Sequence, residues 1–247
     1  MSLSVLILAG QREGIIDPLC QEAGVKHKAV IPIHGEPMIR YVLEALEAAG
    51  LKPLFYVSGF DPDYDERLTQ APSRGGPTSS ALGALESGMA FPVLITTCDH
   101  PLLTPGMLEI FIRGAQKEGA DFCAGVAEKK IIQHAYPDTK RTYLRFKDTS
   151  ISGCNLFYIA NEKGVEAVRL WQRAQQFRKQ PLKLAMALGL DILLNYTTGS
   201  LTAKEMFARL GQKMGITAAP VFIPIPEAAI DVDTPVDKVL VEEILSK

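Results

Sequence analysis

The chain of 247 residues is 47% hydrophobic with a formal net charge of -2, enough apolar content for a full core and no basic surplus to suit a nucleic-acid or anionic-membrane partner. Its four cysteines, Cys20, Cys98, Cys123 and Cys154, form no CxxC and have no close histidine, which argues against zinc and for free thiols in a reducing compartment. No apolar run reaches membrane-spanning length and no signal peptide is recognisable, so the expectation is a soluble, cytoplasmic protein.

Ser4–Leu8 (SVLIL) predicts a buried strand that opens into Ala9-Gly10-Gln11-Arg12-Glu13-Gly14. A glycine-bearing loop at a strand end lets backbone N–H groups approach phosphates, and Arg12 adds a charge. The loop is not GxGxxG and runs into no clear helix, which sets a dinucleotide dehydrogenase aside. Lys26 and Lys28 precede a short strand through Ile33. Pro37 then opens a helix with Met38, Ile39, Val42, Leu46 and Ala49 on one face, ended by Gly50. A lone lysine is usually a solvated one, but Lys28 closes a phosphate-type loop and is a candidate for triphosphate. Leu54–Val57 predicts the next strand, so strand and helix alternate as a parallel sheet requires.

Residues 61–73 read as a polar loop with at most one helical turn. Gly75 and Gly76 permit close backbone approach, and Ser79 and Ser80 offer hydroxyls at the start of a helix carrying Ala81, Leu82, Leu85 and Met89; a plain N-cap is the competing explanation. Val93–Thr97 is a buried strand that stops on Asp99, followed by Thr104-Pro105 as helix cap and first turn, with Met107, Phe111 and Ala115 facing inward. Asp99 falls just past the strand's carboxyl end, where open α/β sheets hold ligands, although a turn or capping aspartate explains it equally well.

Residues 120–126 predict another strand, 140–146 a half-exposed one, and 152–159 a third, in which Asn155 places an amide that needs partners between apolar residues. Residues 161–215 read as helical, with Trp171 and Phe177 in the core, a solvated basic cluster at 178–183, and a capping box at Thr202–Glu205 leading a stripe of Met206, Phe207, Leu210 and Met214. Strand returns at 221–225. Asp231 and Asp233 then stand two apart before a helix capped by Thr234, with Val236, Leu240 and Ile244 expected to face in.

Leu8-Ala9-Gly10 with Arg12, Lys28 within HKAVIPIHGEPMI, the strand ending in CDHPLLTP, and IDVDTP at 230–235 resemble the nucleotidyltransferases related to the molybdenum-cofactor guanylyl- and cytidylyltransferases. The resemblance runs from the N-terminus to the last helix. One departure is visible: the family loop reads LAGG followed by RMG, where this chain has Gln11 for the second glycine and Glu13 after the arginine.

The resemblance implies an α/β fold, a three-layer α/β/α sandwich with a mostly parallel mixed sheet like that of the nucleotide-diphosphosugar transferases. It implies one nucleotidyltransferase domain over 1–247, with 161–215 as a helical insertion or cover. The implied activity is Mg2+-dependent transfer of an NMP group from an NTP to a phosphate or hydroxyl of a small acceptor, with release of pyrophosphate. Lys28, Asp99 and Arg12 would be catalytic. Leu8, Ala9, Gly10, Gln11, Arg12 and Lys28 would hold the triphosphate, and Gly75, Gly76, Ser79 and Ser80 the base and ribose.

Asp99 and Asp233 would bind the metal, a hard ion suited to one or two carboxylates. Asn155, Arg141 and His100 would meet the acceptor, although an exposed strand edge explains Arg141 and a satisfied loop position explains His100. The alternatives are a metal-dependent glycosyltransferase of related fold and a non-catalytic nucleotide-binding homologue. Base, acceptor and oligomeric state stay open.

Overall fold

The computed structural model describes residues 3–11, 17–51, 55–177, 183 and 187–246. Strand β1 (Ser4–Leu8) is buried on both faces because its residues alternate between two helical layers. Val5 and Ile7 pack on one side, Leu6 and Leu8 on the other. Helix α1 (Pro18–Ala23), capped by Asp17, leads to a single 3-10 turn at Lys28–Val30. The short strand expected through Ile33 is there only as a two-stranded ribbon, β2 (Pro32–Ile33) and β3 (Glu36–Pro37). Helix α2 (Met38–Ala48) follows and buries Ile39, Val42, Leu43 and Leu46 against the Val5 side of the sheet.

β4 (Phe55–Ser58) pairs in parallel with β1. β5 (Leu68–Ala71) pairs in parallel with β4, inside the stretch expected to be loop. It ends the sheet, and an edge strand is not obliged to be apolar on both faces, which is why Thr69 and Gln70 conceal it. Helix α3 (Pro77–Glu86) covers the Leu6 side, β6 (Val93–Thr97) pairs in parallel with β1, and α4 (Pro105–Glu118) returns over the Val5 side with Thr104 as its cap. β7 (Phe122–Glu128), α5 (Lys129–Ala135) and β8 (Leu144–Arg145) come next. The half-exposed strand expected over 140–146 is therefore reduced to two residues.

β9 (Ser150–Ile159) runs antiparallel between β6 and β7, and β8 pairs with its first residues. Helices α6 (Val165–Phe177), α7 (Leu190–Thr197) and α8 (Ala203–Met214) precede β10 (Ala218–Phe222), which pairs in parallel with β7, and α9 (Pro235–Leu245) closes the chain. The sheet order is β10-β7-β9-β6-β1-β4-β5, parallel except at β9 and sandwiched by helices: the mixed, mostly parallel α/β architecture expected.

Two core expectations need correction. Trp171 and Phe177 are half-buried, because α6 lies on the outside of α3 and turns only Val165, Ala167 and Val168 fully inward. On α9 the buried residues are Asp237 and Val241, while Val236 is 76% exposed and Leu240 and Ile244 are half-buried. No helix among the described residues is long and apolar enough to cross a membrane.

Candidate active site

In the row β5, β4, β1 and β6 the parallel strands send their following loops to one edge of the sheet. The N–H of Ala9 donates to the Ser58 carbonyl at 2.9 Å and that of Cys98 to the Leu8 carbonyl at 3.1 Å, so three loops leave side by side. Gly59 lets two of them touch: its φ is 84°, and a Cβ there would fall 2.4 Å from Gly10 Cα.

The Gly59 carbonyl also orders the segment that carries Lys28. His27 Nδ1 accepts the N–H of Ala29 at 3.1 Å, so its Nε2 donates to that carbonyl at 2.9 Å. Burial holds His27 below the usual imidazole range, which keeps the neutral ring that this pairing requires. His27 was not among the expected site residues. Its only signal in the sequence is its place directly before Lys28.

Lys28 reaches from this capped turn into a group of carboxylates. Its Nζ lies 2.7 Å from Asp99 Oδ2 and 2.8 Å from Asp233 Oδ1. Burial works against the charge, but the two carboxylates outweigh it and hold the ammonium protonated well above the ordinary lysine range. Asp99 stands two residues beyond β6, and its carbonyl accepts the N–H of Val232 at 2.9 Å, which brings the 230–235 segment alongside. Asp99, Asp231 and Asp233 each offer an oxygen, all within 4.8 Å of one another.

Asp231 is held differently from its neighbours. Burial, then the negative charges of Asp99 and Asp233, push its carboxyl up to about 6 against the pull of Arg141 and Asn155. Arg141 Nη1 donates to Asp231 Oδ1, and its Nη2 donates to the Asp231 carbonyl at 3.1 Å and to Asp237 Oδ1 at 2.8 Å. Asn155 Nδ2 donates to Asp231 Oδ2 at 2.8 Å. A bulge makes that reach possible: between Ala124↔Phe157 and Val126↔Gly153 β7 advances two residues and β9 four, with Asn155 at φ 51°.

Two of the expected acceptor residues sit elsewhere than expected. The Arg141 side chain is only 8% exposed and grips the acidic segment, so it is neither a soluble strand edge nor a group open to an acceptor. His100 is buried beneath its loop with Nε2 at 3.2 Å from the Glu227 carbonyl, and burial lowers its pKa. An acceptor has no open face of that ring to meet.

Leu8 and Ala9 are buried and present backbone only, whereas Gly10 and Gln11 are exposed. The Gln11 amide donates to the Lys26 carbonyl at 3.3 Å, linking the first loop to the Lys28 turn. Arg12 lies outside the described residues. Gly75 and Gly76 have φ of 44° and 155° ahead of α3. Ser80 Oγ accepts the Arg74 N–H at 2.9 Å, Ser79 Oγ accepts the Gln172 amide at 2.9 Å, and Thr78 donates to Gln175 at 3.0 Å, so α6 closes over this loop. Among the described residues no side chain caps α3, whose cap position is Gly76, which removes the plain N-cap explanation.

The family described as MobA-like NTP transferase domain matches residues 6–211. A solved structure titled as a hypothetical transferase from Thermus thermophilus is 33% identical, with 96% of this chain and 100% of that one covered and a TM-score of 0.80. CMP:2-keto-3-deoxy-manno-octonic acid synthetase complexed with CTP is 12% identical at a TM-score of 0.61, covering 100% of this chain and 99% of that one. The 2-C-methyl-D-erythritol 4-phosphate cytidylyltransferase of Thermus thermophilus is 15% identical at 0.55, covering 100% of both. These last two share the fold. No curated protein matches the chain.

Proposed function

The chain belongs to the MobA-like NTP transferase family, and from that premise we propose that it moves an NMP group from an NTP to a phosphate or hydroxyl oxygen of a small acceptor, with Mg2+ as cofactor and pyrophosphate as product. The observation that carries the proposal is Lys28 facing Asp99 and Asp233 at the carboxyl edge of parallel strands. The residues fit a magnesium ion, because every donor is a hard carboxylate oxygen and Asp99 Oδ1 is buried with no hydrogen-bond partner among the described residues.

Asp99 and Asp233 would hold the ion. Asp231, with both oxygens engaged by Arg141 and Asn155, would keep the segment in place. When bound, the ion supplies charge stabilisation to the phosphoryl oxygens. Lys28 would take the β- and γ-phosphate oxygens, and the backbone of Gly10 and Gln11, beyond the sheet bonds of Leu8 and Ala9, would cradle the triphosphate, with Arg12 adding charge. The acceptor oxygen attacks the α-phosphorus in line as the bond to pyrophosphate breaks, so the protein positions groups and supplies no nucleophile.

On this reading Gly75, Gly76 and Ser79 take the base and ribose beneath α6, part of a helical cover over 161–215 within one domain, and Asn155 borders the acceptor. One neighbour of the same fold carries CTP, which puts CTP in the panel to test. Pyrophosphate release measured with each NTP, Mg2+ and a set of phosphorylated and hydroxylated acceptors is expected for one pairing and absent in EDTA. NTP binding without release under any pairing would instead make the chain a non-catalytic homologue. Turnover of a nucleotide sugar would make it a glycosyltransferase.

A further inference from the structure

We propose that Lys28 is a built-in placeholder for the divalent cation, its ammonium lying between Asp99 and Asp233 so that the ion competes with it and binds more tightly once a triphosphate draws Lys28 away. The inference rests on the metal and triphosphate reading above. Its geometric basis is the pair of contacts at 2.7 and 2.8 Å from one nitrogen to two carboxylates, with Lys28 and Asp99 side chains each 16% exposed. Charge-assisted bonds are strong, the one to Asp99 the more sheltered because the Asp233 side chain is 62% exposed, and an ammonium and a divalent ion repel one another too strongly to share the same two oxygens.

Asp231, the third carboxylate, has its oxygens taken by Arg141 and Asn155. Asp99 Oδ1, the oxygen that Lys28 leaves alone, is buried and has no partner among the described residues, so one donor stands ready while Lys28 holds Asp99 Oδ2 and Asp233 Oδ1. The Lys28 turn is capped by His27 and tied through Lys26 to Gln11 in the first loop, so a move from carboxylate to phosphate would fall to the side chain on a turn that stays in place.

The consequence is a reciprocal coupling. Nucleotide tightens the metal, metal tightens the nucleotide, and part of that coupling belongs to Lys28 itself. Coordination of the ion by phosphate also couples the two ligands, so the discriminating measurement is metal binding without nucleotide. Mn2+ alone is titrated by calorimetry into the full chain and into Lys28→Met, Lys28→Arg and Lys26→Met, with folding checked by circular dichroism. Lys26 is exposed on the same segment and controls for loss of a nearby positive charge.

Lys28→Met is expected to bind Mn2+ about 10-fold more tightly than the parent chain, within the usual range of coupling between sites, while Lys28→Arg and Lys26→Met bind like the parent. Unchanged or weaker binding by a folded Lys28→Met overturns the placeholder, as does Lys28→Arg binding as tightly as Lys28→Met. If the parent binds Mn2+ and a non-hydrolysable NTP tightens it while Lys28→Met matches the parent, only the placeholder fails. If no variant binds Mn2+ with or without that NTP, the metal reading fails with it.

Discussion

Asp231 is a carboxylate in a place that disfavours its charge. Its folded pKa, about 6, lies above the ordinary 3.8, so the folded chain holds a proton that the unfolded chain has lost between those values. Stability therefore rises as pH falls from about 6 toward 4, and the penalty is complete above 6. Asp231→Asn, with the Asn155 amide turned so that its oxygen accepts, is expected to raise unfolding stability in EDTA at pH 7.5 by about 1–2 kcal/mol. Urea denaturation of both forms at pH 7.5 and pH 4 checks it, because the advantage has to vanish at the lower pH. Its neighbours divide the labour otherwise. Asp99→Asn is expected to abolish turnover with the fold intact. Between the exposed Asp233 and the tethered Asp231, loss of a metal-binding carboxylate forfeits several kcal/mol of transition-state stabilisation, against about 10- to 100-fold for a supporting one. Turnover measured against Mg2+ should thus find Asp233→Ala worse and Asp231→Ala better rescued. The reverse ranking exchanges their roles.

Helix α9 and the β9 bulge are where local elements serve the site. Thr234 and Asp237 form a reciprocal capping box, and Asp237 also takes the Arg141 guanidinium, so one arginine fixes both the helix start and the acidic segment before it. Arg141→Ala leaves Asp231 and Asp237 partly buried without their counter-charge, and about 3 kcal/mol of stability should be lost by urea denaturation. Lysine at this position should recover only a fraction, since one ammonium cannot span three acceptors. The same capture explains what the sequence conceals. Apolar spacing predicts Val236, Leu240 and Ile244 as the inward face of α9, yet Arg141 draws Asp237 inward and rotates Val236 out to solvent. Strands made of uninterrupted branched residues, such as Val5–Leu8 and Val93–Ile95, are legible because burial on both faces demands that composition. Asp99 is legible for the same reason, as the first charge after such a run. The ion pairs of Lys28 and Arg141 are not, since their partners stand 71 to 205 positions away and no local pattern records them.

At the scale of the molecule, everything proposed to touch the nucleotide hangs from one edge of the sheet, and the first and last thirds of the chain meet there through Lys28 and Asp233. A ligand that bridges those loops binds the folded chain and not the unfolded one, so it should stabilise the whole fold. At about 100 times its dissociation constant the gain is about 2.7 kcal/mol. For a chain of this size that corresponds to a rise in Tm of roughly 5–10 °C. Each of the four NTPs should be scanned by differential scanning fluorimetry, with Mg2+ and with EDTA. One NTP should protect more than the others, and its protection with Mg2+ should exceed the sum of the shifts from either ligand alone, because the two are coupled. Asp99→Asn should keep the shift due to nucleotide alone and lose the increment that Mg2+ adds. Equal protection by all four NTPs would mean that the pocket reads only the triphosphate, and an undiminished Mg2+ increment in Asp99→Asn would remove Asp99 from the metal site.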